Sequence, residues 1–91
     1  MKLAIDYTAQ IWREGGQFIA HTIPLDVASS GGSREEARRA LDEAVHLFLT
    51  TAAKHGTLDQ VLEDSGYIQS GQLWESPRWL ALERGEAVLT V

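Results

Sequence analysis

The feature that most restricts this chain is a long apolar stripe at helical spacing. From Arg34 onward, Ala37, Ala40, Leu41, Ala44, Val45, Leu47, Phe48 and Ala52 recur three and four residues apart, which places them along one side of a helix. Glu35, Arg39, Asp42 and His46 fall on the opposite side. Glu35 precedes Arg39 by four residues, the favourable order for a surface pair. Ser33 followed by Glu36 forms a capping box, in which each side chain satisfies a free backbone N–H at the helix start. Lys54 and His55 suit the negative helix end, and Gly56 is the expected stop. Most of the stability of such a helix comes from covering its apolar side, so the rest of the chain must supply a matching surface. Leu49, at the edge of the stripe, is a candidate contact residue.

The preceding residues provide that surface. Leu3, Ile5, Tyr7, Ala9 and Ile11 alternate with Lys2, Asp6, Thr8 and Gln10, the period of two of a half-buried strand. "REGG", residues 13–16, breaks the pattern, and "QFIAHTI" follows as a second strand. With those four residues as the loop, Trp12 pairs with Gln17, Ile11 with Phe18, Ala9 with Ala20 and Tyr7 with Thr22. The other face pairs Gln10 with Ile19, Thr8 with His21 and Asp6 with Ile23. The first face is apolar enough to hold the helix. The second leaves Trp12, Ile19 and Ile23 more apolar than a solvated face requires, which makes them candidates for a subunit contact.

Pro24 suits a sheet edge or a bend, "LDVAS" (25–29) reads as a short third strand, and the glycines of "SGGS" read as punctuation before the helix. "TLDQ" (57–60) is a second capping box, opening a short helix that ends at Gly66 and buries Leu58, Val61 and Leu62. The tail allows two readings. Either "RG" (84–85) turns a hairpin between "WLALE" and "EAVLTV", or Ser76–Pro77 opens a helical turn before a lone strand over 87–91. Both finish in a strand that docks on the sheet or on a neighbouring chain. The expectation is an α+β domain: a three-stranded antiparallel sheet with one long helix on it, a short second helix and a C-terminal strand (β-β-β-α-α-β). It is a single domain over 1–91, with a core of 1–67 and a C-terminal extension of 68–91.

Charge narrows the function. Eight Lys and Arg against thirteen Asp and Glu give a net charge of −5, the wrong sign for a nucleic-acid surface and the right one for a basic protein partner. The chain has no cysteine, so disulfides and thiolate chemistry are absent. Apolar runs fall short of the ~20 residues of a membrane span, and "LAIDY" is too polar for a signal peptide, so a cytoplasmic location is expected. Residues 31–33 lack the lysine of a P-loop and the spacing of a dinucleotide fingerprint. His21, His46 and His55 lack ligand spacing, and Ser29, Ser30 and Ser33 lack a nucleophile context. Of the acids a two-metal nuclease would need, Asp6 faces away from the helix, Asp26 starts a strand and Glu36 is explained by its cap. No catalytic, metal or cofactor site is expected, and the chain is read as a binding protein. Trp74 and Trp79, without a basic groove around them, are assigned to core packing or partner contact rather than to base stacking.

Taken together, "GGQFIAHTIPLDVASSGGSREEARRALDEAVHLFL" resembles the HicB family, the antitoxins of HicA–HicB toxin–antitoxin pairs. The matching positions are Gly16, Phe18, Ala20, Pro24, Leu25, Asp26, Val27, Gly32, Ser33, Glu36 and Ala37, and "GTLDQVLEDSGY" is similar to the short helix that follows in small members. The chain departs in having Gly31-Gly32-Ser33 where the family more often has one glycine, an acid and a threonine. The resemblance implies a β-β-β-α-β core like a cut-down ribonuclease H fold, without catalysis. It also implies a partner: a small basic messenger-RNA-cleaving toxin, itself like a double-stranded-RNA-binding domain, whose active site is covered. Many members add a DNA-binding segment. Here the residues after Tyr67 hold only Arg78 and Arg84 and no lysine, so direct DNA binding is not expected. The expected protein is a homo-oligomer, dimer or tetramer, with contacts on the mixed sheet face and on Glu35, Asp42, Glu43 and His46 of the outer helix face. The alternative is an orphan relative that acts as a structural oligomer.

Overall fold

In the computed structural model, which describes residues 2–91, the long helix α1 (Arg34–Lys54) forms where the stripe requires it. Ser33 Oγ accepts from Glu36 N at 3.1 Å. The Glu36 carboxylate reaches one residue further back than a standard capping box and accepts from Gly32 N at 3.0 Å. The helix ends at His55, and Gly56 takes the left-handed φ of +72° that lets the chain turn away. Ala37, Leu41, Val45 and Ala52 are buried. The stripe is narrower than expected. Leu47 lies two residues past Val45, about 200° round the helix, and is 67% exposed. Phe48 is 40% exposed and lies outside the core, and Leu49 takes the place against it.

The first alternating run is two strands rather than one. β1 (Ala4–Ile5) and β2 (Thr8–Glu14) belong to different sheets, and the break falls at Asp6 and Tyr7. Here the backbone is held sideways: Asp6 N donates to Trp74 O, and the Tyr67 hydroxyl donates to Asp6 O at 2.6 Å. β2 pairs antiparallel with β3 (Gln17–Ile23), which pairs antiparallel with β4 (Ala28–Gly31). The hairpin loop is two residues, not four. Glu14 faces Gln17, Trp12 faces Ile19 and Ile11 faces Ala20, two positions away from the expected register. Gly15, at φ +58°, supplies the positive angle that a tight two-residue hairpin needs. Because the slip is an even number, every side chain keeps its face, and Ala9, Ile11, Phe18 and Ala20 still meet α1.

The third strand starts three residues later than expected because Leu25 and Val27 spend their backbone groups in a turn. Thr22 N donates to Val27 O at 2.8 Å, Val27 N donates to Leu25 O at 3.0 Å, and the buried Thr22 hydroxyl donates to Leu25 O. Leu25 itself closes the core.

α2 (Leu58–Asp64) forms without its expected capping box: the Thr57 hydroxyl donates back to Ala52 O, and Gln60 Nε2 donates to Asp64 Oδ1. Leu62 is buried, with Leu58 and Val61 half-buried beside it. β5 (Ile68–Ser70) and β6 (Leu73–Glu75) then form a hairpin, and β6 lies parallel to β1. The C-terminal strand is therefore Leu73–Glu75. The run over 87–91 takes no regular structure, and neither the 84–85 hairpin nor the helical turn at Ser76–Pro77 forms.

Gly31 is more than punctuation. A Cβ there would stand 2.7 Å from Ala37 N and 2.8 Å from Glu36 Cβ, so the last residue of β4 lies directly on the first turn of α1. Gly16 has only open space around it. Gly31→Ala is expected to destabilise the fold by about 1–3 kcal/mol in urea denaturation, through forced separation of strand and helix. Gly16→Ala should change stability by less than about 1 kcal/mol.

Candidate protein-interaction surfaces

The sheet face turned away from α1 carries Thr8, Gln10 and Trp12 from β2 beside Ile23, His21 and Ile19 from β3. The Trp12 and His21 rings stand 6.4 Å apart at 59°, and His21 Nε2 donates to Asp26 Oδ1 at 2.6 Å. The chain after β6 lands on this same face: Trp79 Nε1 donates to Thr8 Oγ1 at 3.1 Å. Asp6 fixes that landing, because its carboxylate accepts from Ser76 N at 2.7 Å and from Ser76 Oγ at 3.1 Å. Four residues singled out from sequence, Trp12, Ile19, Ile23 and Trp79, are thus gathered on one face. Trp74 is not with them. It is 2% exposed, a core side chain packed with Tyr67 and Leu62.

The outer face of α1 presents Glu35, Glu43 and His46 to solvent. Asp42 is half-buried and engaged: the Tyr7 hydroxyl donates to its Oδ1 at 2.5 Å, and Arg38 Nε donates to the same oxygen at 3.0 Å. Burial alone would raise the Asp42 pKa, but the Tyr7 and Arg38 donors outweigh it and hold the carboxyl below its ordinary value. Burial and the Asp42 carboxylate push the Tyr7 hydroxyl up. Arg34, Arg38 and Arg39 interleave with the acids on this face, so it carries little net charge. Towards its C-terminal half, His46 and Leu49 join Leu3, Ile5 and Tyr7 around a cleft of about 590 Å3.

The acidic excess lies elsewhere. α2 carries Asp59, Glu63 and Asp64, all exposed, and no basic residue. Between α1 and α2 runs an open apolar groove of about 610 Å3, lined by Phe48, Thr51, Ala52, His55, Thr57 and Val61. Sequence reasoning missed it by placing Phe48 in the buried stripe. A signal was available: no lysine or arginine occurs between Lys54 and Arg78, while four acids fall there.

The three acids weighed for nuclease chemistry go to separate tasks. Asp6 holds Ser76, Asp26 holds His21, and Glu36 caps the helix start. Among the described residues, no group of three or more His, Asp or Glu side chains is placed to hold a metal, and no helix is long and apolar enough to cross a membrane. Compared with protein-family models, with curated proteins and with solved structures, the chain matches none at a significant level.

One buried group gives these surfaces a pH dependence. The Tyr67 hydroxyl, driven by burial and then by the negative charges of Asp6 and Tyr7, is pushed up to about 12 from the ordinary 10.0. The folded state favours its protonated form, so that stabilisation is complete below pH 10.0 and is lost as pH rises towards about 12. Asp42 works in the opposite sense: its contribution is present above the ordinary carboxylate range and is lost as pH falls through its lowered value. Urea midpoints measured from neutral to alkaline pH should therefore fall steeply for the natural chain. Tyr67→Phe should cost about 1 kcal/mol at neutral pH and flatten most of the alkaline loss.

Proposed function

We propose that this chain is a HicB-like antitoxin that binds a small basic messenger-RNA-cleaving toxin of the HicA type and covers its active site, working by occlusion in the cytoplasm and not as an enzyme. The observation that carries the reading is the order of motifs over residues 15–49 and where they fall. They lie on the β2–β3 hairpin, the short β4 and the capped start of α1, with a later strand returning parallel to the first. The resemblance implies a β-β-β-α-β order. Here four strands, two helices and two strands follow one another, and the parallel β1–β6 pair lies in a sheet separate from β2-β3-β4, so the support comes from the hairpin, the short strand and the capped helix.

The surface best suited to the toxin is the α1–α2 groove with the acids of α2. Phe48 and Val61 offer apolar area for a side chain of the partner to bury, and Asp59, Glu63 and Asp64 offer charge to a basic surface that otherwise accepts RNA phosphates. Apolar burial supplies affinity, and the net charge of −5 steers encounter at low salt.

The test is co-expression with the product of an adjacent reading frame encoding a small basic protein with one central histidine. The natural chain should restore growth and co-purify with it. The double reversal Asp59→Lys with Glu63→Lys, at exposed positions, should leave folding intact, weaken the complex by about 10- to 100-fold and reduce its salt dependence. A complex indifferent to these changes would move the contact off α2. No complex at all would leave the orphan structural oligomer.

A further inference from the structure

We infer that residues 87–91, carried on the extended tail that begins at 80, form a strand on a second copy of this chain, adding to the open β2 edge of that copy while its own tail does the same in return. The run Ala87-Val88-Leu89-Thr90-Val91 is made of strand-forming residues and small alanine, without charge or proline, and its length is that of an ordinary strand. Yet it pairs with nothing on its own chain. Leu80 is 100%, Val88 87% and Leu89 80% exposed, and among the described residues none beyond Trp79 hydrogen-bonds to the rest of the molecule. The extended tail also explains the shape. The radius of gyration is 15.5 Å, where about 12 Å suits a compact chain of this length.

The launch point selects the acceptor. Asp6 clamps Ser76 and Thr8 holds Trp79, so the tail departs beside the first residue of β2, the outermost strand of its sheet. That edge is seven residues long and unpaired, whereas the free edges of β1, β4 and β5 offer two, four and three residues. Only β2 can take a five-residue strand in full register. Unpaired edges of this length invite strand addition. A second copy is the occupant that satisfies both needs at once. Each copy has one tail without an edge and one seven-residue edge without a strand, and a two-fold axis closes that exchange. The exposed Trp12, with Ile19 and Ile23 next to the edge, would be covered in the same step.

The absence of cysteine makes the test clean. By sedimentation velocity at micromolar concentration the full chain should be a dimer. Leu89→Pro, which removes a strand donor, should raise the dimer dissociation constant by about a hundredfold or more while far-UV circular dichroism stays close to that of the natural chain. Mixing a Leu89→Cys chain with a Gln10→Cys chain under mild oxidation should give a covalent heterodimer. A monomeric full chain, a dimer unaffected by Leu89→Pro, or crosslinking only between two Leu89→Cys chains would each overturn the assignment. None of these readouts involves a toxin, so the outcome stands apart from the antitoxin reading.

Discussion

The arrangement depends on how closely α1 approaches the β2-β3-β4 sheet. Ala20, Ala37 and Gly31 are small where strand and helix meet, which lets Leu41 and Val45 sink against the sheet and be fully covered. Each such side chain contributes about 1.5–3 kcal/mol when withdrawn from water, so the apposition supplies much of what a chain of this size has available. The polar devices at the joint serve the same closeness. Ser33 and Glu36 satisfy donors that would otherwise be stranded at the helix start, and Thr22 ties the turn that leads from β3 to β4.

Once α1 is seated, its narrow buried stripe determines what is left outside. Phe48 points away from the sheet and, with Val61, makes an apolar groove beside a helix whose charges are all negative. The outer face of α1 is different in kind, because three arginines offset its acids and Asp42 is occupied by Tyr7 and Arg38. A basic partner would find its complement on α2 rather than on α1. Under the two proposals above, that division keeps the mixed sheet face and the open β2 edge clear of the toxin surface.

Asp6 links the two ends of the chain. Its backbone ends β1, accepts from Tyr67 and donates to the Trp74 carbonyl, while its carboxylate fixes Ser76. An acid that invites a catalytic reading when seen on a strand is here a clamp that aims the tail.

The residues legible from sequence were those whose signal is local. The helix and its stop follow from spacing, Ser33, Glu36 and Gly56; the faces of the hairpin follow from alternation, which survives a two-residue slip in register. Three things were not legible. The sheet switch at Asp6 depends on Tyr67 and Trp74, more than sixty residues away. The choice of Leu49 rather than Phe48 as the residue against the core depends on which elements cover the helix. The lack of a partner for 87–91 within the chain is likewise a property of the assembled fold. By itself the sequence determined the two helices, the β2–β3 hairpin and which side of each is apolar, because those properties arise from neighbours within a few residues; the β5–β6 hairpin and the irregular 87–91 were not among them. Only the tertiary structure decided which apolar surfaces are covered and which remain to bind, because coverage depends on contacts between segments that no local pattern encodes.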